Sequence, residues 1–201
     1  MSNDPNMPPG GYPAPPGKPV FGPNGRKIIY DKDGKPCRQC NTIADFKFAT
    51  SSKDATSALS GMGAAFGGAF SSGGKPKKVQ QKKEIAKSKE CPPDVEELGR
   101  ASWTLLHTIA ASYPENPSLE QQLEMKVFIN IFSKIYPCWF CAGDFQKFIK
   151  IDEPKVRTQE DFGRWLCNAH NSVNVKLGKP VFDCNLWKER WKDGWKDGRC
   201  D

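Results

Sequence analysis

The sequence predicts an all-α fold: a four-helix bundle plus a short fifth helix over residues 91–201, with a largely disordered N-terminal arm. Three observations predict it. Apolar residues in the C-terminal half recur every three or four positions, the spacing of one helix face. Cap signals, an Asp or Ser followed three residues on by Glu or Gln, stand ahead of those runs. No stretch there alternates apolar and polar with the period of two that a half-buried strand needs.

The arm divides by composition. Residues 1–25 are dominated by Pro and Gly, with Pro8-Pro9-Gly10-Gly11 and Pro15-Pro16-Gly17. Such a stretch cannot bury enough apolar surface to offset chain entropy, so a disordered tail is expected. Residues 26–50 differ. Arg26 to Tyr30 is a short β-prone run, Asp31-Lys32-Asp33-Gly34 is turn-like, and Cys37-Arg38-Gln39-Cys40 is a Cys-x-x-Cys motif. Residues 51–90 read as a flexible basic linker. Gly61 to Gly74 is rich in Gly, Ser and Ala, and Lys75 to Lys89 is strongly basic. No aromatic residue is interleaved there for base stacking and no nucleic-acid motif is present, so no nucleic-acid partner is expected.

In the domain, the first helix opens at Pro92-Pro93-Asp94, with Asp94 as N-cap and Glu97 three residues on. Leu98, Leu105, Leu106 and Ile109 follow at helical spacing, and Tyr113-Pro114 ends the run. Ser118 with Gln121 opens the second helix, marked by Leu119, Leu123, Phe128, Ile131, Phe132 and Ile135. The third opens at Tyr136-Pro137-Cys138-Trp139-Phe140-Cys141 and carries Phe145, Phe148 and Ile149. The fourth starts near Thr158, carries Phe162, Leu166, Ala169, Val173 and Leu177, and stops at Gly178. A short fifth follows Asp183 with Leu186, Trp187 and Trp191.

Cys138 and Cys141 sit in the first turn of a helix, where free N–H groups and the helix dipole favour thiolate over thiol. That favours disulfide exchange, so the pair is a redox candidate. A structural disulfide, or half of a zinc site completed by Cys37 and Cys40, is the alternative. Roughly a hundred residues separate the two motifs, whereas zinc ligand pairs usually lie about 15–20 apart. A long tether also lets one dithiol swing between partners at high effective concentration.

Cys167, His170, Asn171 and Asn174 share one helix face. With Trp103 and His107 on the first helix they form hydrogen-bonding and stacking groups suited to a flat polar aromatic cofactor. The alternative is that each histidine is a satisfied core residue. A Cys167–Cys184 bridge would staple the fifth helix to the fourth, worth about 3 kcal/mol as loop closure. Cys91 and Cys200 flank the domain and could join each other within a chain or join two chains at a twofold interface.

The chain has 201 residues, 30 basic and 23 acidic, a net charge of +7, and eight cysteines. No apolar run is long enough to span a membrane. No basic n-region precedes an apolar h-region, and no Arg-rich amphipathic presequence is visible. The cysteine usage points to an oxidising compartment reached without either signal, and the mitochondrial intermembrane space fits.

Four motifs carry a family resemblance: Cys-Pro-Pro-Asp-x-Glu-Glu-Leu-Gly-Arg-x-Ser-Trp-x-x-Leu-His at 91–107, Tyr-Pro-Cys-x-x-Cys at 136–141, Cys-x-x-His-Asn-x-x-Asn at 167–174, and Arg-Trp-Lys-Asp-Gly-Trp at 190–195. Together they resemble the Erv/ALR flavin-linked sulfhydryl oxidases, in particular the long, mitochondrial animal branch. The resemblance implies a homodimer of helical bundles holding FAD over 91–201. It implies that Cys138 and Cys141 are the redox pair, with Cys141 against the isoalloxazine and Cys138 receiving the incoming exchange. Cys37 and Cys40, within 26–50, would shuttle electrons to them, across the dimer. Cys167–Cys184 would be structural, and Cys91 with Cys200 interchain. Arg100, Trp103, His107, Tyr136, His170, Asn171, Asn174, Lys176, Lys179 and Trp191 would contact FAD. Electrons would pass to oxygen, giving hydrogen peroxide, or to cytochrome c. The implied partner is the oxidoreductase that imports cysteine-rich proteins into the intermembrane space. Two rivals stand beside this: a flavin-free disulfide isomerase, which would need a thioredoxin-like βαβ context, and a zinc-binding adaptor.

Overall fold

The structure, a computed structural model, describes residues 11–51 and 91–200. The expectations for residues 1–10 and for nearly all of the linker lie outside that range. Five α-helices run in chain order: α1 (Ile43–Ser51), α2 (Val95–Ser112), α3 (Leu119–Ile135), α4 (Trp139–Ile151) and α5 (Gln159–Lys176). No strand forms among the described residues; Tyr12–Tyr30, Phe21–Lys27 and Tyr30–Pro36 make isolated bridges.

The caps anticipated from sequence set the helix starts. Asp94 accepts from the Glu97 N–H, and Thr158 from the Asp161 N–H. Ser118 and Gln121 form a complete capping box. Such caps contribute about 1 kcal/mol each by satisfying donors that lack an intrahelical partner.

α2 packs on α5, and α3 on α4. Between them lies one core of Leu106, Ala110, Tyr113, Ile129, Ile149, Val156, Phe162, Trp165 and Leu166. Each large side chain there contributes roughly 1.5–3 kcal/mol of apolar burial. Polar tips in this core are satisfied: the Tyr113 hydroxyl donates to the Val156 carbonyl at 3.0 Å, and the Trp165 indole to the Asp152 carbonyl at 3.0 Å.

The expected short fifth helix follows Asp183 as an irregular helical run: a 3₁₀ turn at Cys184–Leu186 leads through Trp187 and Lys188 into a π turn at Glu189–Asp193. Trp187, between them, is 1% exposed and presses on α5 at Gly163. A Cβ at Gly163 would meet that indole at 2.6 Å, so only glycine admits this approach.

The arm also differs from expectation. Residues 11–25, expected to be disordered, fold back on residues 26–36. The Ile28 N–H donates to the Val20 carbonyl at 2.9 Å, and the Tyr30 hydroxyl to the Pro19 carbonyl at 2.7 Å. Gly17, Gly25 and Gly34 take positive φ, which closes the turns. The apolar surface this stretch lacks is supplied from elsewhere, by the fully buried Ile28 and Tyr30 and by Ala49 of α1.

Candidate redox and cofactor site

Pro137 holds Tyr136 out of helical geometry (φ −58°, ψ 126°), so α3 ends and α4 restarts immediately. Cys138 is thereby the N-cap of α4, and its Sγ accepts the Cys141 N–H at 3.2 Å. Cys138 and Cys141 form a disulfide with Cα atoms 5.3 Å apart. Cys138 is fully buried; Cys141 is half-buried.

The arm brings a second disulfide to the same place. Cys37 and Cys40 are bonded across a 3₁₀ turn, Cα atoms 5.2 Å apart. Both sulfur pairs lie in one apolar cluster with Ile29, walled by Val95, Leu98, Tyr136, Trp139 and Phe140. A single chain thus already juxtaposes the two dithiols. Asn41 braces the arm's turn: its side chain accepts from the Ile29 N–H (2.8 Å) and donates to the Ile29 (2.8 Å) and Cys37 (2.7 Å) carbonyls. Tyr12 lies edge-on to Trp139 at 6.0 Å, so the start of the arm covers the motif's outer side.

Along α2 a second group of side chains begins. Trp103 stacks on His170 of α5 (4.2 Å, 5°), and His107 on Trp191 (4.4 Å, 6°). His107 Nε2 and His170 Nδ1 are 3.1 Å apart, one donating and one accepting. Burial lowers the His107 pKa to about 3, helped by His170 and Arg190, and lowers His170 to about 4, helped by Lys179 and Arg190. Both imidazoles are therefore neutral at neutral pH, and one N–H proton bridges them. His107 Nδ1 is buried with no hydrogen-bond partner. Flat aromatic walls, an unpartnered buried nitrogen and a cationic rim fit a planar polar ring system bearing an anionic tail. From Leu98, beside the disulfides, to His107 the helix rises about 14 Å. Trp103 also meets Phe145 of α4 edge-on at 6.3 Å, which ties this group to the helix that Cys138 caps.

The remaining sequence-nominated residues fall around this group. Tyr136 sits in the disulfide cluster, its hydroxyl bonded to Ser102 and its pKa raised by burial. Asn171 pairs both its amide groups with the Phe182 backbone (2.8 and 2.9 Å), so it pins the loop after α5 instead of presenting a free amide. Asn174 donates to Asn171 at 3.3 Å. Lys176 is ion-paired with Asp144 at 3.0 Å, while Lys179 and Arg100 are exposed. Cys167 and Cys184 are bonded, Cα atoms 5.7 Å apart, and staple the irregular C-terminal turns to α5. Cys91 and Cys200 are exposed and unbonded, so they do not close on each other within the chain.

Sequence reading missed Arg190, whose guanidinium lies 4.1 Å over the Trp191 ring. Its position directly before that tryptophan was the available signal. It also missed Asn41, a turn-forming residue next to Cys40. A separate cavity lined by Gln122, Lys126, Asp152, Lys155, Val156 and Asp161 shares no residue with the site. Among the described residues the four motif sulfurs pair two by two as disulfides, and no group of three or more His, Cys, Asp or Glu gathers as a metal ligand set. No described helix is long and apolar enough to cross a membrane.

Fold and site together define a helical dithiol–disulfide protein with an aromatic–imidazole pocket. Comparison with known proteins agrees. The Erv1 / Alr family model matches residues 100–192. The mitochondrial FAD-linked sulfhydryl oxidase ERV1 of Saccharomyces cerevisiae is 52% identical over 173 residues, covering 86% of this chain and 90% of the relative. Its Schizosaccharomyces pombe namesake is 36% identical, covering 81% and 90%. The crystal structure of the yeast Erv1 core matches with TM-score 0.53 and 57% identity, covering 58% of this chain and 99% of that one. The FAD binding domain of Erv1 from S. cerevisiae matches with TM-score 0.51 and 61% identity, covering 52% and 100%. The chain belongs to the Erv1 / Alr family.

Proposed function

We propose that this chain is an FAD-linked sulfhydryl oxidase that forms disulfides in substrate proteins. The observation that carries the reading is the apolar cluster in which Cys37–Cys40 meets Cys138–Cys141, with the stacked Trp–His pairs held between α2, α5 and the C-terminal turn. Relatives named FAD-linked sulfhydryl oxidases support it. Bound FAD supplies the two-electron acceptor that the side chains lack. Trp103, His107, His170 and Trp191 would hold its ring system, Cys141 and Tyr136 would border it, and Arg100, Asn174, Lys176, Lys179 and Arg190 would line its polar portion. Asn171 would act by holding the loop that precedes Cys184.

The chain's own steps follow from thiol–disulfide exchange. A substrate thiolate attacks the Cys37–Cys40 disulfide, and the substrate's second thiol resolves the mixed disulfide. The substrate leaves oxidised and the arm holds two thiols. An arm thiolate then attacks Cys138 Sγ, the Cys138–Cys141 bond breaks, and Cys141 leaves as a thiolate. The second arm thiol restores Cys37–Cys40. The two electrons now stand at Cys138 and Cys141, whose thiolates are stabilised by the α4 N-terminus and the Cys141 N–H. The terminal acceptor is oxygen, giving hydrogen peroxide, or cytochrome c. The setting is mitochondrial, as the relatives' names suggest, and within it the intermembrane space, where the import oxidoreductase for cysteine-rich proteins is the substrate. Oxygen uptake with dithiothreitol, with peroxide formed, tests the activity; a folded, FAD-loaded chain that consumes no oxygen would contradict it.

The working unit in this reading is a homodimer. Leu119, Leu123, Val127, Ile131 and Ile135 form an outward ladder on α3, each at least 50% exposed, with Leu105 of α2 55% exposed. An apolar stripe of that length on a water-facing helix marks an interface. Cys91 and Cys200 would join the two chains. Leu123→Glu with Ile131→Glu should yield monomers in sedimentation under reducing conditions; an unchanged dimer would place the interface elsewhere.

A further inference from the structure

We propose that Asp94 is a positioning residue: its carboxylate clasps the arm onto the core and sets the register of Cys37–Cys40 against Cys138–Cys141. The proposal rests on the shuttle reading above and adds to it the residue that docks the shuttle.

Asp94 is 3% exposed and opens α2. Its Oδ1 accepts the Glu97 N–H at 3.0 Å, which is ordinary N-capping. Its Oδ2 accepts the Ile43 N–H at 3.2 Å, and Ile43 is the first residue of α1, 51 positions earlier in the chain. One carboxylate thus caps two helices, one in the core and one in the arm. A bond runs the other way beside it, from the Val95 N–H to the Asn41 carbonyl at 3.4 Å. Arg38 donates to the Pro92 carbonyl at 3.0 Å, and Arg26 pairs with Glu96 at 3.1 Å. The arm's directed polar contacts with the core thus gather on the few residues around Asp94, beside the apolar contacts at the disulfides and Trp139. Asn41 passes that placement to the sulfurs, because its side chain also holds the Cys37 carbonyl at 2.7 Å.

Capping α2 does not require an aspartate: Ser or Asn caps as well through one oxygen. The second oxygen serves the arm. A long linker alone sets only a loose effective concentration, because closure entropy changes slowly with length. Register between two disulfides needs directed contacts, and the Asp94 carboxylate supplies one from a side chain that is 3% exposed.

The test uses the full chain carrying Cys37→Ser and Cys141→Ser, which leaves Cys40 to bond Cys138. In a glutathione buffer the two thiols give two electrons and two protons to oxidised glutathione, which becomes two reduced glutathiones, and the Cys40–Cys138 bond forms. The equilibrium reports their effective concentration. Asp94→Asn keeps the α2 cap but turns an N–H donor toward the Ile43 N–H. Ile43→Pro removes that N–H at a first helical position, where proline is tolerated. Each should lower the effective concentration on the order of tenfold, the effect of one charge-assisted hydrogen bond. Both together should cost no more than either alone, because they break one contact. Values within twofold of the parent, or losses that multiply, would overturn the clasp. No Cys40–Cys138 bond in the parent, together with no Cys37–Cys138 bond in the counterpart carrying Cys40→Ser and Cys141→Ser, would overturn both the clasp and the shuttle reading. FAD content, measured on the same samples, separates the cases: a chain that binds no FAD yet shows the tenfold loss keeps the clasp and loses the oxidase reading.

Discussion

Cys141→Ser should leave the fold and FAD binding intact and reduce sulfhydryl oxidation to background, with dithiothreitol and with protein dithiols alike. Cys138 becomes an attackable sulfur only when bonded to Cys141, because exchange requires a leaving thiolate. Serine at 141 removes that leaving group while keeping the backbone N–H that bonds Cys138 Sγ. Packing changes little, since Cys141 is only half-buried and belongs to the disulfide cluster, not to the bundle core. The stacked Trp–His pairs belong to α2, α5 and the C-terminal π turn, so they stay in place. Oxygen consumption at the native rate by this variant would refute the assignment of the redox pair.

Replacing Cys37 and Cys40 together by serine should have the second-largest effect, and a selective one. Turnover of a reduced protein substrate should fall at least tenfold, while dithiothreitol oxidation stays within about twofold. Cys138 is 0% exposed beneath the docked arm, so a bulky protein thiol cannot reach it directly. A small dithiol needs only a brief local opening of the arm, which such peripheral segments undergo far more often than global unfolding. Equal loss on both substrates would count against a shuttle.

The parts legible in the sequence share one property: their cause is local. Asp94, Ser118 and Thr158 cap the helices they precede, and Pro137 forces the break that puts Cys138 at a helix start. The Cys167–Cys184 staple spans 17 residues and one turn. The parts that stayed hidden depend on contacts distant in sequence. Residues 11–25 have a composition that cannot fold alone, and nothing local announces that Tyr30 will reach the Pro19 carbonyl or that Tyr12 will meet Trp139. The short fifth helix is legible from three apolar positions, but not its 3₁₀ and π geometry, which the indole of Trp187 on Gly163 and the disulfide at Cys184 accompany. Cys167, His170, Asn171 and Asn174 were correctly placed on one helix face, yet periodicity could not reveal that Asn171 would be taken up by the Phe182 backbone. The α3 apolar run likewise could not be divided from sequence into the face that buries Ile129 and the ladder that points outward.

The most direct test is an anaerobic titration of the intact chain with dithiothreitol, following visible flavin absorbance. The native protein should carry about one FAD per chain and bleach as Cys138–Cys141 is reduced, whereas Cys141→Ser should keep its colour. A folded native chain whose four motif cysteines become reduced while its flavin stays oxidised, or which binds no flavin, would contradict electron passage from paired sulfurs to the cofactor.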